Sequence, residues 1–190
     1  MLDCYQFERM NMLQHGQAVH EKYKLLISEL QGEQTSLHQT LPAIFNDQSF
    51  KDWLLGSQLP METMRLYHWY HDCGKGDCLT VDESGKRHFP DHAAISSAKF
   101  LKHASGVLQA ETIAKLIAMD MDFHTKRCGE LDELCKHELA PSLYLTALAE
   151  IYANSEMFGG TSSTSFKIKH KWLSKAGKKL AQANEVCHGK

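Results

Sequence analysis

Several features of other protein classes are missing from this sequence. None of its six cysteines forms a Cys-x-x-Cys pair, so the sequence lacks the ligand spacing of a zinc ribbon. It has no secretory hydrophobic segment near its first residue, and we therefore expect thiols in a reducing, cytoplasmic compartment rather than disulfides. No window approaches the roughly 20 apolar residues that span a membrane, and we expect no membrane partner.

Charge is distributed unevenly along the chain. The formal net charge of the 190-residue sequence is −2, but residues 166–190 contain seven lysines and a single acidic residue, Glu185. This segment therefore carries +6, which leaves −8 for the remainder. Because a chain of this length suits one domain, we predict a folded domain at 1–165 and a basic C-terminal extension at 166–190.

Helical periodicity is the main secondary-structure signal, and we predict an all-α fold. From Met12 to Leu30, apolar side chains recur at helical spacing, and His15 falls on the same stripe, so this histidine is expected to face the core. Residues 76–88 are predicted to form a loop or small hairpin, and the basic tail an edge strand or a helix. Further helices are expected around Trp53, from Pro60 to Gly74, over 92–103, over 107–124 and after Pro141.

The sequence contains twelve histidines, and imidazole is the commonest metal ligand in proteins. His71 falls on the buried side of its predicted helix, with Asp72 directly after it, and His92 lies in the first turn of the next helix. His68 precedes His71 by about one helical turn and is predicted to pack behind it. These residues place candidate metal ligands at helix ends.

Two later helices supply acidic candidates. On the predicted helix 107–124, Asp120 and His124 are four residues apart and end an apolar stripe. Glu150 lies among small residues inside the helix after Pro141, where a buried carboxylate needs a partner. A mixed set of imidazoles and carboxylates is typical of sites for Mn, Fe, Co, Ni or Zn.

The segment YHWYHDCGK, which contains His71, Asp72 and Lys75, resembles the signature of the HD superfamily of metal-dependent phosphohydrolases. In that signature a His-Asp pair ends a helix and is followed by a glycine and a lysine. LQHGQAV resembles the family's first metal-ligand helix, FPDHAAIS its segment with an extra histidine, and ALAEIYANS its late ligand helix. The resemblance runs from about residue 10 to 158 and implies an HD-domain helical bundle with a central metal site.

The resemblance also implies roles for individual residues. The first divalent metal ion would be held by His15, His71, Asp72 and Glu150, although Glu150 stands where the family usually has aspartate. His92, with either His124 or Asp120, would hold a second ion or contact the phosphate, and Lys75 would neutralise phosphate charge. The residues expected to take part in catalysis are Asp72, Lys75 and His92.

Each of these assignments has a simpler alternative. His15 is alternatively a satisfied core histidine, with His20 and His38 as rival ligands on spacing grounds. Glu150 is alternatively one half of a buried salt bridge. The basic tail is alternatively a solvated terminus, although its lysines and Trp172 together also suit contact with phosphates of RNA.

The function implied by the resemblance is hydrolysis of a phosphomonoester or phosphodiester in a nucleotide or related phosphorylated small molecule, using one or two divalent metal ions. A second enzymatic interpretation is a 2',3'-phosphoesterase that acts on RNA ends and uses the basic tail to hold the RNA. An interpretation of another class is a metal- and nucleotide-binding sensor without turnover. A mixed-valent iron oxygenase is disfavoured, because Lys75 argues against it and the sequence has no other oxygenase signal.

Overall fold

A computed structural model of the chain describes residues 5–7, 10–157 and 159–188, with side chains over 10–155 and 159–186. Over these residues the fold is all-α apart from two small hairpins. The helices in chain order are α1 (Met12–Leu30), α2 (Gln48–Gly56), α3 (Met61–Tyr70), α4 (His92–His103), α5 (Ala110–Ala118), α6 (Asp122–Thr125), α7 (Cys128–Leu134), α8 (Ala140–Met157) and α9 (Thr164–His188). The strands are β1 (Tyr5–Phe7), β2 (Met10–Asn11), β3 (Thr80–Val81) and β4 (Arg87–His88).

The chain divides into two compact units. Among the described residues, those within 1–20 and 60–120 form the first unit, and those within 21–59 and 121–190 form the second. Helix α1 therefore begins in the first unit and ends in the second. Among the described helices, none is both long and apolar enough to cross a membrane.

The first unit is built on the start of α1 and on α3, α4 and α5, with both hairpins attached. Strands β3 and β4 pair antiparallel, with Thr80 opposite His88. A short 3-10 helix, Lys75–Asp77, links α3 to this hairpin. The core of the unit is formed by fully buried apolar side chains, which include Met12, Val19, Met64, Tyr67, Ile113, Leu116 and Ile117.

The second unit is built on the end of α1 and on α2 and α6 to α9. Helix α8 is buried on nearly every side, as its mostly apolar sequence requires. Helix α9 packs along it, and Phe166 lies 5.4 Å from Tyr152 between ring centroids. Asp47 starts α2 in the usual way, because its side chain accepts a hydrogen bond from the backbone N–H of Phe50.

Most predicted helices are confirmed, and one is wrong. The helix Met12–Leu30 has the predicted bounds, and the hairpin within 76–88 and the helix starting at His92 are present. The single helix predicted over 107–124 is two helices, α5 and α6, separated at residues 119–121. Asp120 therefore lies in a turn, not on the helix that carries His124. The tail is helix α9 rather than a strand.

Free thiols are found at the cysteines that the structure describes with their side chains, which are Cys73, Cys78, Cys128 and Cys135. Cys4 lies outside the described residues, as does Lys190 of the basic tail, and Cys187 is described in its backbone alone.

Candidate metal centre

Gly16 allows helices α1 and α3 to cross very closely in the first unit. A Cβ atom at this position would collide with the carbonyl oxygen of His68 and lie 2.9 Å from the Cα atom of Trp69. Real Cβ atoms do not approach backbone this closely, so glycine is required here. The close crossing brings His15, the residue before Gly16, to within 4.8 Å of His71 between their metal-binding atoms.

Gly74 likewise allows a close backbone contact, here between the turn after α3 and helix α4. A Cβ atom there would lie 2.6 Å from the backbone nitrogen of Ser96, and the N–H of Gly74 donates a 2.9 Å hydrogen bond to the hydroxyl of Ser96. The turn that follows α3 thus packs directly on α4. His92, the first residue of α4, is held beside the His-Asp pair by this contact.

Two histidines of the site are oriented by backbone carbonyl groups. The Nδ1–H of His71 donates to the carbonyl oxygen of His68 at 2.6 Å, and the Nδ1–H of His92 donates to that of Phe89 at 3.0 Å. A carbonyl oxygen can only accept, so each neutral ring keeps its lone pair on Nε2. Histidines that bind metals are usually held in this way through their other nitrogen.

Both of these Nε2 atoms are near the carboxylate of Asp72. The separation is 3.3 Å from His71 to Oδ2 and 3.7 Å from His92 to Oδ1, while the Nε2 atom of His15 lies 3.9 Å from Oδ2. Three imidazoles therefore converge on one carboxylate within the first unit. Asp72 and His71 are almost completely buried, but the side chain of His92 is 15% exposed.

Asp72 is held in its charged form. Burial acts to raise the pKa of this carboxyl group, but neighbouring His71 and Lys75 outweigh that effect and keep the pKa well below its usual range. The ammonium group of Lys75 donates a hydrogen bond to Oδ2 at 2.7 Å. Lys75 itself is buried, and its Nζ atom lies 5.4 Å from the ring centre of Phe89.

The donors of the first unit fit a divalent metal ion. Atoms that each lie about 2.1 Å from one metal are roughly 3 to 4 Å apart, and the separations from the histidines to Asp72 fall in this range. Within the described side chains, Oδ1 of Asp72 is buried without a hydrogen-bond partner. Such an atom carries a large desolvation cost unless a cation or another donor satisfies it.

Glu150 and His124 meet in the second unit. The Nε2–H of His124 donates a 2.9 Å hydrogen bond to Oε2 of Glu150, which is 8% exposed. The buried pairing considered for Glu150 is therefore present, with His124 as its partner, and the ligand role of Glu150 stays a prediction.

The chain matches no family model, no curated protein and no solved structure with which it was compared. The chemistry of this site follows from its own side chains, which are imidazoles, carboxylates and one buried ammonium group.

Asp120 is joined to the site helix through Tyr67. The Tyr67 hydroxyl donates a 2.5 Å hydrogen bond to Oδ1 of Asp120, and both side chains are buried. The Tyr67 ring also faces His71 edge-on, at 6.4 Å between ring centroids. This contact holds Asp120 beside α3, a position that could not be predicted from the sequence.

The rival histidines have other contacts. His20 and His68 are buried against each other, with 3.0 Å between their Nδ1 atoms, so one ring donates a proton to the other. His68 contacts His71 through its backbone carbonyl group, while its ring lies against His20 and Tyr67. His38 donates from Nδ1 to Glu29 in the second unit and is half exposed. The His20–His68 pair was missed, and its 48-residue separation along the chain leaves no local signal.

Proposed function

We propose that this protein is a metal-dependent phosphohydrolase of the HD type, with its metal centre at the His71-Asp72 pair and an HD-domain helical bundle around it. One observation carries the proposal. His71 and His92 each donate Nδ1–H to a backbone carbonyl and direct Nε2 towards Asp72, while Lys75 donates to the same carboxylate. Oriented imidazoles, a charged carboxylate and a buried ammonium group form the set that a metal-bound phosphate requires.

His15, His71 and Asp72 are the ligands that the first unit contributes to this proposal. Glu150 is proposed as the closing ligand, and His92 with Asp120 or His124 as the groups that hold a second ion or the phosphate. A bound divalent ion of the Mn, Fe, Co, Ni or Zn type would supply Lewis acidity that activates water and polarises the phosphoryl group.

Lys75 and His92 are proposed to act on the substrate itself. Lys75 places a positive charge beside the His-Asp pair, where it would attract a phosphate oxygen and neutralise part of its charge. The side chain of His92 is more exposed than that of His71, at 15% against 1%, so it is the histidine better placed to meet a substrate. The proposed substrate is a nucleotide or a related phosphorylated small molecule.

The test begins with metal binding and continues with turnover. The purified protein is loaded with Mn, Co, Ni or Zn, its metal content is measured, and phosphate release is assayed on nucleotides, cyclic nucleotides and RNA ends that carry a 2',3'-cyclic phosphate. Asp72→Asn is expected to lose both metal and turnover. Asp82→Asn is the matched control, because Asp82 also pairs with a histidine, His88, but in the exposed hairpin.

The outcomes separate the proposed classes. Stoichiometric metal with turnover that Asp72→Asn abolishes supports the hydrolase. Stoichiometric metal with a nucleotide that is recovered unchanged supports the sensor instead. Failure to bind any of the metals contradicts the metal centre itself.

A 2',3'-phosphoesterase that acts on RNA ends is the second candidate. The lysine-rich helix α9 favours it, because a polynucleotide substrate extends beyond the reacting phosphate and needs backbone contacts. Preferred hydrolysis of the cyclic phosphate on an RNA end, over the same group on a mononucleotide, would select this candidate.

A further inference from the structure

Helix α9 has one face that is buried in the second unit. Its buried residues recur at helical spacing and are Phe166, Leu173, Ala176, Gly177 and Leu180. Gly177 is packed so closely that a Cβ atom would collide with the Tyr144 hydroxyl of α8. The apolar side of this helix is therefore already used for packing inside the protein.

The opposite side of α9 is a row of lysines. Lys167, Lys171, Lys175 and Lys178 are all exposed, and they follow one another at intervals of four, four and three residues. At about 100° of rotation per residue they fall within an arc of roughly 80°, centred opposite the buried residues. We call these four residues the lysine face.

Carboxylates do not neutralise the lysine face. Within the described side chains, none of its four lysines forms an ion pair, whereas neighbouring Lys179 pairs with Asp132 of α7. Glu185, near the end of α9, is the single acidic residue of the helix. Four cations on one side of a helix, without paired carboxylates, raise the local positive potential and attract an extended polyanion.

A fifth cation is fixed next to this helix. The guanidinium group of Arg127 stacks over the ring of Trp172 at 3.9 Å from its centre, and Trp172 directly follows Lys171. The indole N–H donates to the carbonyl oxygen of Phe123, which holds the ring in place. The stacked pair adds charge and a flat surface beside the lysine face.

We propose that the lysine face of α9 binds the phosphate backbone of a nucleic acid, without preference for its sequence. Lysine contacts phosphates as a point charge and does not read bases from this geometry, so RNA and DNA strands are both expected to bind. This inference goes beyond the proposed function, because it concerns binding by the second unit and requires no hydrolysis.

A membrane surface is the less suitable partner. A helix that lies in a membrane interface inserts an apolar face between lipids, but the apolar face of α9 is buried against the protein. Among the described side chains of α9, the exposed large apolar residues are Ile168 and Val186, which lie at opposite ends of the helix and form no continuous apolar face.

The test measures binding of the full chain to a short fluorescent RNA of mixed sequence by anisotropy. Four neutralised phosphates on a single strand predict a salt slope of about −2.8, so affinity should fall roughly 50-fold between about 50 and 200 mM salt. The variant with Lys167, Lys171, Lys175 and Lys178 all changed to Gln should bind at least tenfold more weakly at the lower salt. Its slope should also become shallower.

A matched variant controls for net charge. It changes Lys24, Lys86, Lys102 and Lys115, four exposed lysines on other elements, to Gln and removes the same charge. It should keep the affinity of the parent protein, and thermal melts should show that both variants fold. Binding of the parent protein and of both variants to vesicles of phosphatidylcholine and phosphatidylserine is measured in parallel.

Three outcomes would overturn the proposal. They are no RNA binding by the parent protein at low salt, equal loss of binding in both quadruple variants, and binding that depends on the lysine face for vesicles but not for RNA. Because the assay needs no turnover, its result is independent of the test of the hydrolase.

Discussion

The carbonyl oxygen of His68 accepts the Nδ1–H of His71 at 2.6 Å. The same carbonyl group faces Gly16 of helix α1, at the point where a Cβ atom would not fit. One backbone group therefore orients the central histidine of the site and also forms the closest contact between α1 and α3. Packing and ligand orientation are coupled in this part of the molecule.

Gly16→Ala should therefore damage both properties. The added methyl group forces α3 away from α1, which separates His15 from His71, and overpacking of this kind costs about 1–3 kcal/mol. We expect a lower free energy of unfolding in urea and a metal affinity reduced at least tenfold. Gly129→Ala is the control, because Gly129 lies in α7 with no atom near its Cβ position, and it should be neutral or stabilising. Unchanged metal affinity in Gly16→Ala would contradict the coupling.

Lys75→Met tests the proposed phosphate contact. The substitution keeps the length of the buried side chain but removes its charge, and we expect kcat/KM for the preferred substrate to fall about 10- to 100-fold, which is roughly 1.4–2.7 kcal/mol. Metal content should remain near that of the parent protein. Lys99→Met, in which a partly exposed lysine paired with Asp77 is changed, should keep full activity. Equal kcat/KM for both variants would remove Lys75 from the proposed mechanism.

Glu150→Gln tests the closing ligand. If Glu150 binds the metal, the variant should lose at least tenfold in metal affinity, because an amide is a poorer ligand than a carboxylate for these ions. Glu29→Gln is the matched control, since Glu29 is also buried in the second unit and also accepts from a histidine. It should lose stability but keep metal affinity. If the Glu150→Gln variant loses stability but keeps its metal affinity, Glu150 is not a ligand and its role is the salt bridge with His124.

Glu29 should make stability depend on pH in the acid range. Burial acts to raise its pKa, but hydrogen bonds from His38 and from the backbone and hydroxyl of Thr35 lower it below its ordinary value. A carboxyl group whose pKa is lowered by folding stabilises the protein above its unfolded pKa and loses that effect as pH falls through the folded pKa. The stability difference between the parent protein and Glu29→Gln should thus be largest near neutrality and shrink below about pH 4. Urea unfolding at several pH values measures it, and a constant difference would contradict this account.

The predicted elements show where sequence reasoning succeeds. Helix α1 could be predicted with its bounds because its buried residues recur at a regular period. Helices α5 and α6 could not be separated, because residues 119–121 contain neither glycine nor proline and the apolar period continues through them. The break coincides with the contact between Asp120 and Tyr67, which lie 53 residues apart.

Features that repeat over short stretches of the chain could be predicted from the sequence. They include the stripe of α1 that carries His15, the adjacent His71 and Asp72 with Lys75 one turn later, and the concentration of lysines after residue 165. Each is a relationship between residues a few positions apart, and helical geometry converts such spacing directly into a shared face.

Which of these groups meet follows from the packing of the folded chain. The approach of His15 to His71 depends on two backbones that touch at Gly16, and the approach of His92 to Asp72 depends on Gly74 against α4. The lysine face became a surface feature only when the opposite side of α9 was buried. Such contacts depend on packing between segments that are distant along the chain, and no local pattern of residues encodes them.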